Sequence, residues 1–320
     1  MDLDLVFLGT SGSMPTAQRA PAALLVRRGG DRLLFDCGEG TQRQLLRSIG
    51  LLDLEEIFLT HFHADHFLGL PGMLKTFGMR GRETPLTVYG PPGLRSLFEA
   101  LRPVVGRTAF PLELVELDAN EELGRDGYSI ATFAVDHRVR AYGYALVEDE
   151  RPGRFDEARA VELGVRAGPD FGRLQRGEEV NGVKPEQVLG EPRRGRKIVI
   201  AGDTAPAEMT RAVAHRADLL VHEATFTEEE EHRARETGHS TARGAAQLAA
   251  DAEVVLLALT HVSPRYAGPE LRDEARAVFE RTIVPRDFDR VEIPFPERGK
   301  PIHVRAREER EPAPEPAAAE

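Results

Sequence analysis

The chain lacks two features that would direct it to other classes of protein. It has a single cysteine, Cys37, among 320 residues, which excludes an intrachain disulfide and a Cys-rich zinc cluster. No apolar run approaches the roughly 20 residues of a membrane-spanning helix. Residues 1–4 are acidic rather than basic, so we expect no signal peptide. These absences favour a cytoplasmic protein in which any metal is held by nitrogen and oxygen atoms.

Positive charge is also in short supply. The formal net charge of −11 argues at first against a polyanionic partner, because phosphate backbones usually bind cationic surfaces. Much of the acidity is local, however, and residues 228–236 alone carry five acids against two bases. Bound divalent metals would add positive charge where a phosphate must lie. The net charge therefore does not exclude nucleic acid.

Three histidines and an aspartate lie within six positions, directly after the apolar run 57–59. They are His61, His63, Asp65 and His66. Neutral imidazole nitrogens and carboxylate oxygens are suitable ligands for Zn²⁺ or a similar metal, and four donors with others nearby exceed what one tetrahedral ion accepts. The spacing predicts two adjacent metals. The alternative is a solvated histidine-rich loop.

Four further donors follow strand-like apolar runs later in the chain. They are His137, Asp203, His222 and His261, which follow the runs 129–135, 197–201, 219–221 and 254–260. Because the carboxyl ends of strands meet at one edge of a sheet, distant donors of this kind can converge in space. The recurrence favours the metal centre over the solvated loop.

The rest of the chain alternates strands and helices. Expected strands include 3–8, 22–27, 32–35 and 86–89, and expected helices include 40–49, 68–79 and 93–102. Such alternation predicts a layered α/β fold, and 41% hydrophobic residues are enough to fill its core. We expect one domain over residues 1–304.

Residues 148–192 break this pattern. The segment is charged, contains Gly and Pro, and has little periodicity, so we interpret it as an insertion that projects from the core. A flexible surface loop is the alternative. Residues 193–197 carry four bases at its exit, and residues 305–320 are expected to form a disordered tail.

Several short stretches outside the histidine cluster carry a family resemblance. In one-letter code they are FLGTSG at 7–12, LFDCGEGTQRQ at 34–44, GDT at 202–204, HEAT at 222–225, GHSTA at 238–242 and THVSPRY at 260–266. The histidine cluster alone resembles the metallo-β-lactamase fold superfamily. Together with these stretches, it resembles the short form of the tRNase Z family, the tRNA 3′-processing endoribonucleases.

The resemblance implies an αββα sandwich, in which two sheets pack face to face with helices outside and metals at one edge. The insertion would be the flexible arm that grips the tRNA elbow, and residues 153–156 and 164–169 are similar to the arm's usual sequence. Arg166 and Ala167 stand where the family tends to have prolines. The resemblance also implies precursor tRNA as substrate, a homodimer, and no DNA or membrane as partner.

Seven metal ligands follow from the family pattern. One Zn²⁺ would be bound by His61, His63 and His137, the second by Asp65, His66 and His261, and Asp203 would bridge the two. These ligands also accept Mn²⁺ or Fe²⁺. Two metals about 3.5–4 Å apart activate water for attack on a phosphodiester.

Three other functional groups are expected, and the second of them, His239 with Glu223, also matches the family's residues. Asp65 would be a general base as well as a ligand, with a purely ligating role as the alternative. His239, oriented by Glu223, would protonate the leaving ribose oxygen, unless the pair lies at a helix cap or on the surface. Arg265 would bind a substrate phosphate, or else form a salt bridge.

Three residues near these motifs are expected to have supporting roles. Asp36 would orient a metal-binding histidine, and His222 would be structural beside the site. Cys37 is expected to be a small packed residue rather than a nucleophile.

The sequence thus predicts an endonuclease that removes the 3′ trailer from precursor tRNA, leaving a 3′ hydroxyl on the tRNA and a 5′ phosphate on the trailer. The alternative is a small-molecule phosphodiesterase, thioesterase or arylsulfatase-like hydrolase on the same fold. A non-catalytic RNA-binding scaffold is disfavoured, because all seven ligand positions carry a competent donor.

Overall fold

The computed structural model describes residues 1–51 and 54–306, and most of the predicted tail lies outside the described residues. Two β-sheets pack face to face. The first contains β1 (Leu3–Gly9), β2 (Ala23–Arg28), β3 (Asp31–Phe35), β4 (Glu56–Phe58), β5 (Leu86–Gly90), β6 (Leu112–Glu116), β14 (Arg290–Glu292) and β15 (Ile302–Val304). Their order across the sheet is β15-β14-β1-β2-β3-β4-β5-β6.

The second sheet is built from the carboxyl-terminal half of the chain. It contains β7 (Glu122–Arg125), β8 (Tyr128–Ala134), β9 (Tyr142–Glu148), β10 (Lys197–Ile200), β11 (Leu219–Glu223), β12 (Leu256–Thr260) and β13 (Thr282–Ile283). Their order is β13-β12-β11-β10-β9-β8-β7. Apolar side chains of both sheets form one cluster between them, in which Phe58 of the first sheet packs edge-on against Tyr144 of the second at 5.4 Å between ring centroids.

Helices cover the outer faces of both sheets. They are α1 (Thr41–Ser48), α2 (Ala64–Phe67), α3 (Gly69–Met79), α4 (Leu94–Val105), α5 (Glu157–Glu162), α6 (Pro169–Gln175), α7 (Glu208–Ala214), α8 (Glu231–Thr237), α9 (Ala242–Asp251) and α10 (Gly268–Arg276). Residues of α1, α3 and α4 pack on the first sheet, and residues of α7, α9 and α10 pack on the second. The predicted αββα sandwich is confirmed. No helix within the described ranges is both long and apolar enough to cross a bilayer.

Each sheet changes from antiparallel to parallel pairing along its width. In the first, β3 to β6 run parallel, and in the second, β10 to β13 run parallel. Parallel strands present their carboxyl ends at a common edge, where connecting loops gather. The expected positions of the early strands and helices agree with the structure to within a few residues, because their apolar periodicity is regular.

The insertion between β9 and β10 is a small packed unit rather than an irregular loop. It contains α5 and α6, and its apolar residues form a cluster separate from those of the sandwich. Its chain leaves the sandwich later than the sequence predicted, because Glu148 is the last residue of β9. The Glu148 carboxylate is buried and accepts hydrogen bonds from Arg28 at 2.9 Å and from Arg196 at 2.6 and 2.7 Å.

Candidate metal centre

Four segments of the chain bring the predicted ligands together at the edge where strands end. His61 and His63 follow β4. Asp65 and His66 lie in the single turn of α2, which starts directly after His63. The other three follow strands of the second sheet: His137 comes after β8, Asp203 after β10 and His261 after β12.

The first group of donors consists of His61, His63, His137 and Asp203. One ligand atom from each lies within 4.8 Å of the others. His63 Nδ1 is 2.9 Å from His61 Nε2 and 3.4 Å from His137 Nε2, and Asp203 Oδ2 is 3.8 Å from His61 Nε2. Ligand atoms about 2.0–2.1 Å from a tetrahedral zinc lie about 3.3–3.4 Å apart. The group therefore has the spacing that a metal requires.

Asp65, His66 and His261 form the second group. His261 Nε2 is 3.1 Å from Asp65 Oδ2, and His66 Nε2 is 3.5 Å from the same oxygen. Asp203 Oδ1 lies 3.3 Å from His66 Nε2, and Asp203 Oδ2 lies 3.3 Å from His261 Nε2. The carboxylate of Asp203 thus lies between the two groups, which is the position of a bridging ligand.

The other nitrogen of four histidines is held by a neighbouring oxygen. His66 Nδ1 lies 2.7 Å from Asp36 Oδ2, as predicted for Asp36. The remaining pairs are His61 Nδ1 with Thr60 Oγ1 at 3.0 Å, His137 Nδ1 with the Gly238 carbonyl at 2.9 Å, and His261 Nδ1 with Thr225 Oγ1 at 2.8 Å. Such contacts fix the ring and leave the other nitrogen free to bind a metal.

The electrostatics of the site differ among the proposed ligands. Burial would lower the pKa of His66, but the carboxylates of Asp203 and Asp36 outweigh it and raise the pKa well above its usual value. Burial lowers the pKa of His61 well below its usual value and also lowers that of His63, so both rings are neutral donors. Burial opposes ionisation of Asp203, but His261 and His66 outweigh it and hold the pKa of this carboxyl well below its usual range. His66 Nε2 is buried without a hydrogen-bond partner among the described residues. A divalent cation beside it would satisfy that nitrogen.

Backbone conformation and close packing also constrain the ligands. His261 has a φ of 55° and Asp36 a φ of 57°, values that non-glycine residues rarely adopt and that cluster at functional sites. A Cβ on Gly12 would lie 2.7 Å from His261 Nδ1, so only glycine fits there. The next residue, Ser13, donates its backbone N–H to Asp65 Oδ2 at 2.9 Å.

Glu223 and His239 form a pair beside the second group. His239 Nδ1 lies 2.6 Å from Glu223 Oε1, and the hydroxyl of Thr225 donates to Glu223 Oε2 at 2.6 Å. Burial would lower the pKa of His239, but the negative charge of Glu223 outweighs it and raises the pKa to about 9. The cap of α9 is Thr241, whose side chain accepts from the Gly244 N–H at 3.0 Å. The pair is therefore not a helix cap.

Arg265 and His222 lie differently from the ligands. Arg265 is exposed, with its guanidinium carbon 5.9 Å from the centroid of the Phe226 ring, and no carboxylate within residues 1–51 and 54–306 forms an ion pair with it. His222 lies within β11 rather than after it, and it is fully buried with Nδ1 2.8 Å from the Glu223 carbonyl. Burial raises the pKa of the Cys37 thiol to about 12, which makes this packed residue a poor nucleophile.

Strand β9 connects this region to the insertion. Near its start, the N–H of Tyr142 donates to the Thr60 carbonyl at 2.9 Å, and the Tyr144 hydroxyl donates to the Leu59 carbonyl at 2.7 Å. The same strand ends at Glu148, where the insertion begins. The histidine loop and the base of the insertion are thus attached to one strand.

The sequence analysis missed Thr60, Thr225, Gly238 and Ser13 as supporting residues. Thr60 and Thr225 lie within the THFHADH and HEAT stretches, next to ligands or catalytic candidates, and that position is the signal that could have identified them. Gly238 contacts a histidine 101 positions away, which no local pattern reveals.

Comparisons with known proteins agree with this geometry. Residues 17–183 match the Metallo-beta-lactamase superfamily, and residues 178–262 match the Beta-lactamase superfamily domain. Proteins named Ribonuclease Z from Halorubrum lacusprofundi and Myxococcus xanthus are each 48% identical to the chain. The alignments cover 93% of this chain and 99% of the Halorubrum protein, and 92% of this chain and 98% of the Myxococcus protein.

Solved structures give the same result. The short form of human tRNase Z is 27% identical, with a TM-score of 0.65 over 91% of this chain and 99% of that one. A metallo-beta-lactamase fold protein from Bacillus subtilis has a TM-score of 0.68 at 19% identity, over 91% of this chain and 100% of that one, which supports the fold alone. With the ligand groups described above, these similarities show that the chain belongs to the ribonuclease Z family of the metallo-β-lactamase superfamily.

Proposed function

We propose that this chain is a metal-dependent endoribonuclease that removes the 3′ trailer from precursor tRNA and leaves a 3′ hydroxyl on the tRNA and a 5′ phosphate on the trailer. The observation that carries the proposal is the pair of donor groups that meet at Asp203. The relatives named Ribonuclease Z and the human tRNase Z supply the substrate class.

The metals of this site are proposed to be two Zn²⁺ ions, although nitrogen and oxygen donors of this type also accept Mn²⁺ or Fe²⁺. His61, His63 and His137 would bind one ion, Asp65, His66 and His261 the other, and Asp203 both. When bound, such metals lower the pKa of water and neutralise negative charge on a phosphodiester. Seven side chains from both sheets that meet at one edge of the sandwich support this assignment.

Asp65 has the position of a general base as well as a ligand. Its Oδ2 faces His261 Nε2 at 3.1 Å and accepts the Ser13 N–H at 2.9 Å. These contacts fix the carboxylate at the centre of the site, where it can orient a water molecule and accept its proton. A role as ligand only remains the simpler alternative.

His239 is the proposed proton donor to the leaving ribose oxygen. Its Nδ1 is engaged by Glu223 at 2.6 Å, so Nε2 is the nitrogen left to donate. The ring stacks on that of His261 at 5.3 Å between centroids, which places it beside the metal ligands. Glu223 orients the ring and stabilises its protonated form.

The insertion is proposed to be the tRNA-binding arm. Shape and backbone contacts dominate recognition of folded RNA, and a unit with its own apolar cluster can contact the substrate away from the cut. Arg265, exposed and free of carboxylate partners in the described ranges, is available to bind a substrate phosphate. A homodimer is a further proposal, supported by the family resemblance. A cytoplasmic location is proposed as well, and the single buried cysteine is consistent with it.

Incubation with a 3′-extended precursor tRNA tests the function directly. We expect one cut at the 3′ end of the tRNA, a hydroxyl on the tRNA product and a phosphate on the trailer. A chelator should abolish the cut and Zn²⁺ should restore it. An intact precursor in the presence of Zn²⁺, Mn²⁺ and Fe²⁺ alike would contradict the proposal.

A further inference from the structure

The insertion is joined to the sandwich by a narrow two-stranded stalk. Arg151 pairs with Arg193 in an antiparallel bridge, and Phe155 pairs with Leu189 further out. Within the described part of the chain, the hydrogen bonds and ion pairs of residues 154–192 are all made inside the insertion. The direction of the insertion is therefore set by contacts at the stalk.

One carboxylate from the carboxyl-terminal part of the sandwich binds both strands of the stalk. Glu297 lies in a 3₁₀ helix of one turn, Pro296–Arg298. It accepts two hydrogen bonds from Arg151, at 2.8 and 2.9 Å, and one from Arg193 at 3.1 Å. Bidentate pairing of this kind fixes orientation as well as distance.

The aromatic ring of Phe295 also contacts the stalk, through a cation–π interaction with Arg151. The guanidinium carbon of Arg151 lies 3.6 Å from the centroid of the Phe295 ring, and that of Arg196 lies 4.0 Å away. Arg196 is buried and also bonds to Glu148 and to the Ile293 carbonyl. A stalk residue and a core residue thus contact the same ring, so that the stalk is tied to the rigid part of the protein.

We propose that Glu297 and Phe295 form a clamp, with Arg151 and Arg193, that holds the insertion in the direction needed to present a long RNA to the metal centre. Glu297 and Phe295 are positioning residues, and their role rests on the proposed function of the insertion. A small rotation at the stalk displaces the far end most, so loss of the clamp affects only substrates that reach the insertion. Hydrogen bonds from Arg151 lower the pKa of Glu297 to about 2, so the carboxylate stays ionised at working pH.

Kinetics of Glu297→Gln test the clamp against a matched control. We expect KM for precursor tRNA to rise about fivefold, the effect of one hydrogen-bonded ion pair, with kcat unchanged. Hydrolysis of a small chromogenic phosphodiester should be unaffected, because that substrate does not reach the insertion. Glu292→Gln is the control, since Glu292 pairs with Arg290 on the same terminal segment and forms no ion pair with the stalk within residues 1–51 and 54–306. Equal effects of both substitutions would overturn the clamp.

Distances between spin labels test it without any RNA. Cys37 is fully buried, so labels attach only at introduced sites such as the exposed Glu179→Cys in the insertion and Glu113→Cys in β6. We expect a narrow distance distribution that broadens in Glu297→Gln and broadens further when Arg151→Met, which also removes the contact with the Phe295 ring, is added. An unchanged distribution would refute the clamp. Failure of the parent protein to cut precursor tRNA would contradict the proposed function. The label distances would still test the clamp, because they do not depend on activity.

Discussion

The metal centre and the insertion begin at opposite ends of the same strand, β9, but they are held in different ways. At the centre, the proposed ligand side chains are buried or half-buried, and the second nitrogens of four histidines are held by Asp36, Thr225 and similar partners. The insertion has its own apolar cluster, and its stalk is joined to the sandwich by the partly exposed pairs of Glu297 and by the pair of Arg194 with Asp218. Substitutions of the metal ligands should therefore affect every substrate. Changes in the insertion should affect only substrates large enough to contact it.

The largest effect is expected from His63→Ala. Loss of a ligand removes several kcal/mol of charge stabilisation, or about 10³-fold in rate, for both precursor tRNA and a small chromogenic diester. Steady-state kinetics with the two substrates and metal analysis of the purified protein check this. His63 is only half-buried, so thermal unfolding should show that the variant is folded. A normal rate with either substrate would remove His63 from the ligand set.

Deletion of residues 150–194, bridged by a short Gly-Ser link, should separate the two regions. We expect loss of precursor tRNA cleavage and a near-normal rate with the small diester, because the insertion packs on its own cluster and not on the core. This result would also distinguish the nuclease from a small-molecule phosphodiesterase. Loss of both activities in a folded protein that retains its metal would contradict the separation, as would retention of both.

Substitution of His239 should lower the cleavage rates of the two substrates by different amounts, because their leaving groups differ. His239→Ala is expected to slow precursor tRNA cleavage about 10²-fold, the lower end of the usual contribution of a general acid. A diester with a nitrophenol leaving group should be slowed much less, since that group departs without a proton. The measurement is kcat for both substrates. An equal loss for both would assign His239 to metal or structural support.

The smallest effect on activity and a clear effect on stability are expected from Glu148→Gln. Burial would raise the pKa of Glu148, but Arg196 and Arg28 outweigh it and lower the pKa in the folded state. Its charge therefore stabilises the protein above the unfolded pKa of about 4.3, and this contribution disappears as pH falls through the lower folded pKa. Breaking a buried pair costs about 3 kcal/mol at neutral pH.

Denaturant unfolding at pH 7 and at pH values below about 4 measures this difference. The difference in the free energy of unfolding between wild type and Glu148→Gln should become smaller as the pH falls. Glu292→Gln, in a half-exposed pair, should change stability little at any pH. A gap that is independent of pH would mean that the Glu148 charge does not contribute.

From the residues alone, His137, Asp203 and His261 were expected to converge because each follows an apolar strand-like run and strand ends meet at one edge. The division of seven donors into two groups came from the family resemblance, since Asp65 and His66 lie in α2 rather than at a strand end. Contacts between distant segments could not be predicted from the sequence, as with the Gly238 carbonyl that binds His137. The positive φ of His261 has no reliable sequence signal, because only a few per cent of non-glycine residues adopt it and no residue type fixes its position. Asp36 was predicted since it too lies just after a strand.

The insertion was the harder region to predict. Its helices α5 and α6 have only six and seven residues, too few for a helical period to show. Its small core draws on scattered residues such as Ala160, Leu174 and Val188, which form no periodic pattern. Glu148 was assigned to the insertion because a charged residue rarely lies at a buried strand end, and only its two arginine partners make that position favourable.

Under the proposed role of the insertion, the length of strand β9 bears on the size of the RNA that the protein binds. Its seven residues, from Tyr142 at the histidine loop to Glu148 at the stalk, extend roughly 20 Å at the usual rise per residue. Both neighbours of the strand are hydrogen-bonded to it, so it does not stretch or bend freely. The separation between the cutting point and the root of the stalk is therefore a fixed length, and only the orientation of what lies beyond Arg151 is adjustable.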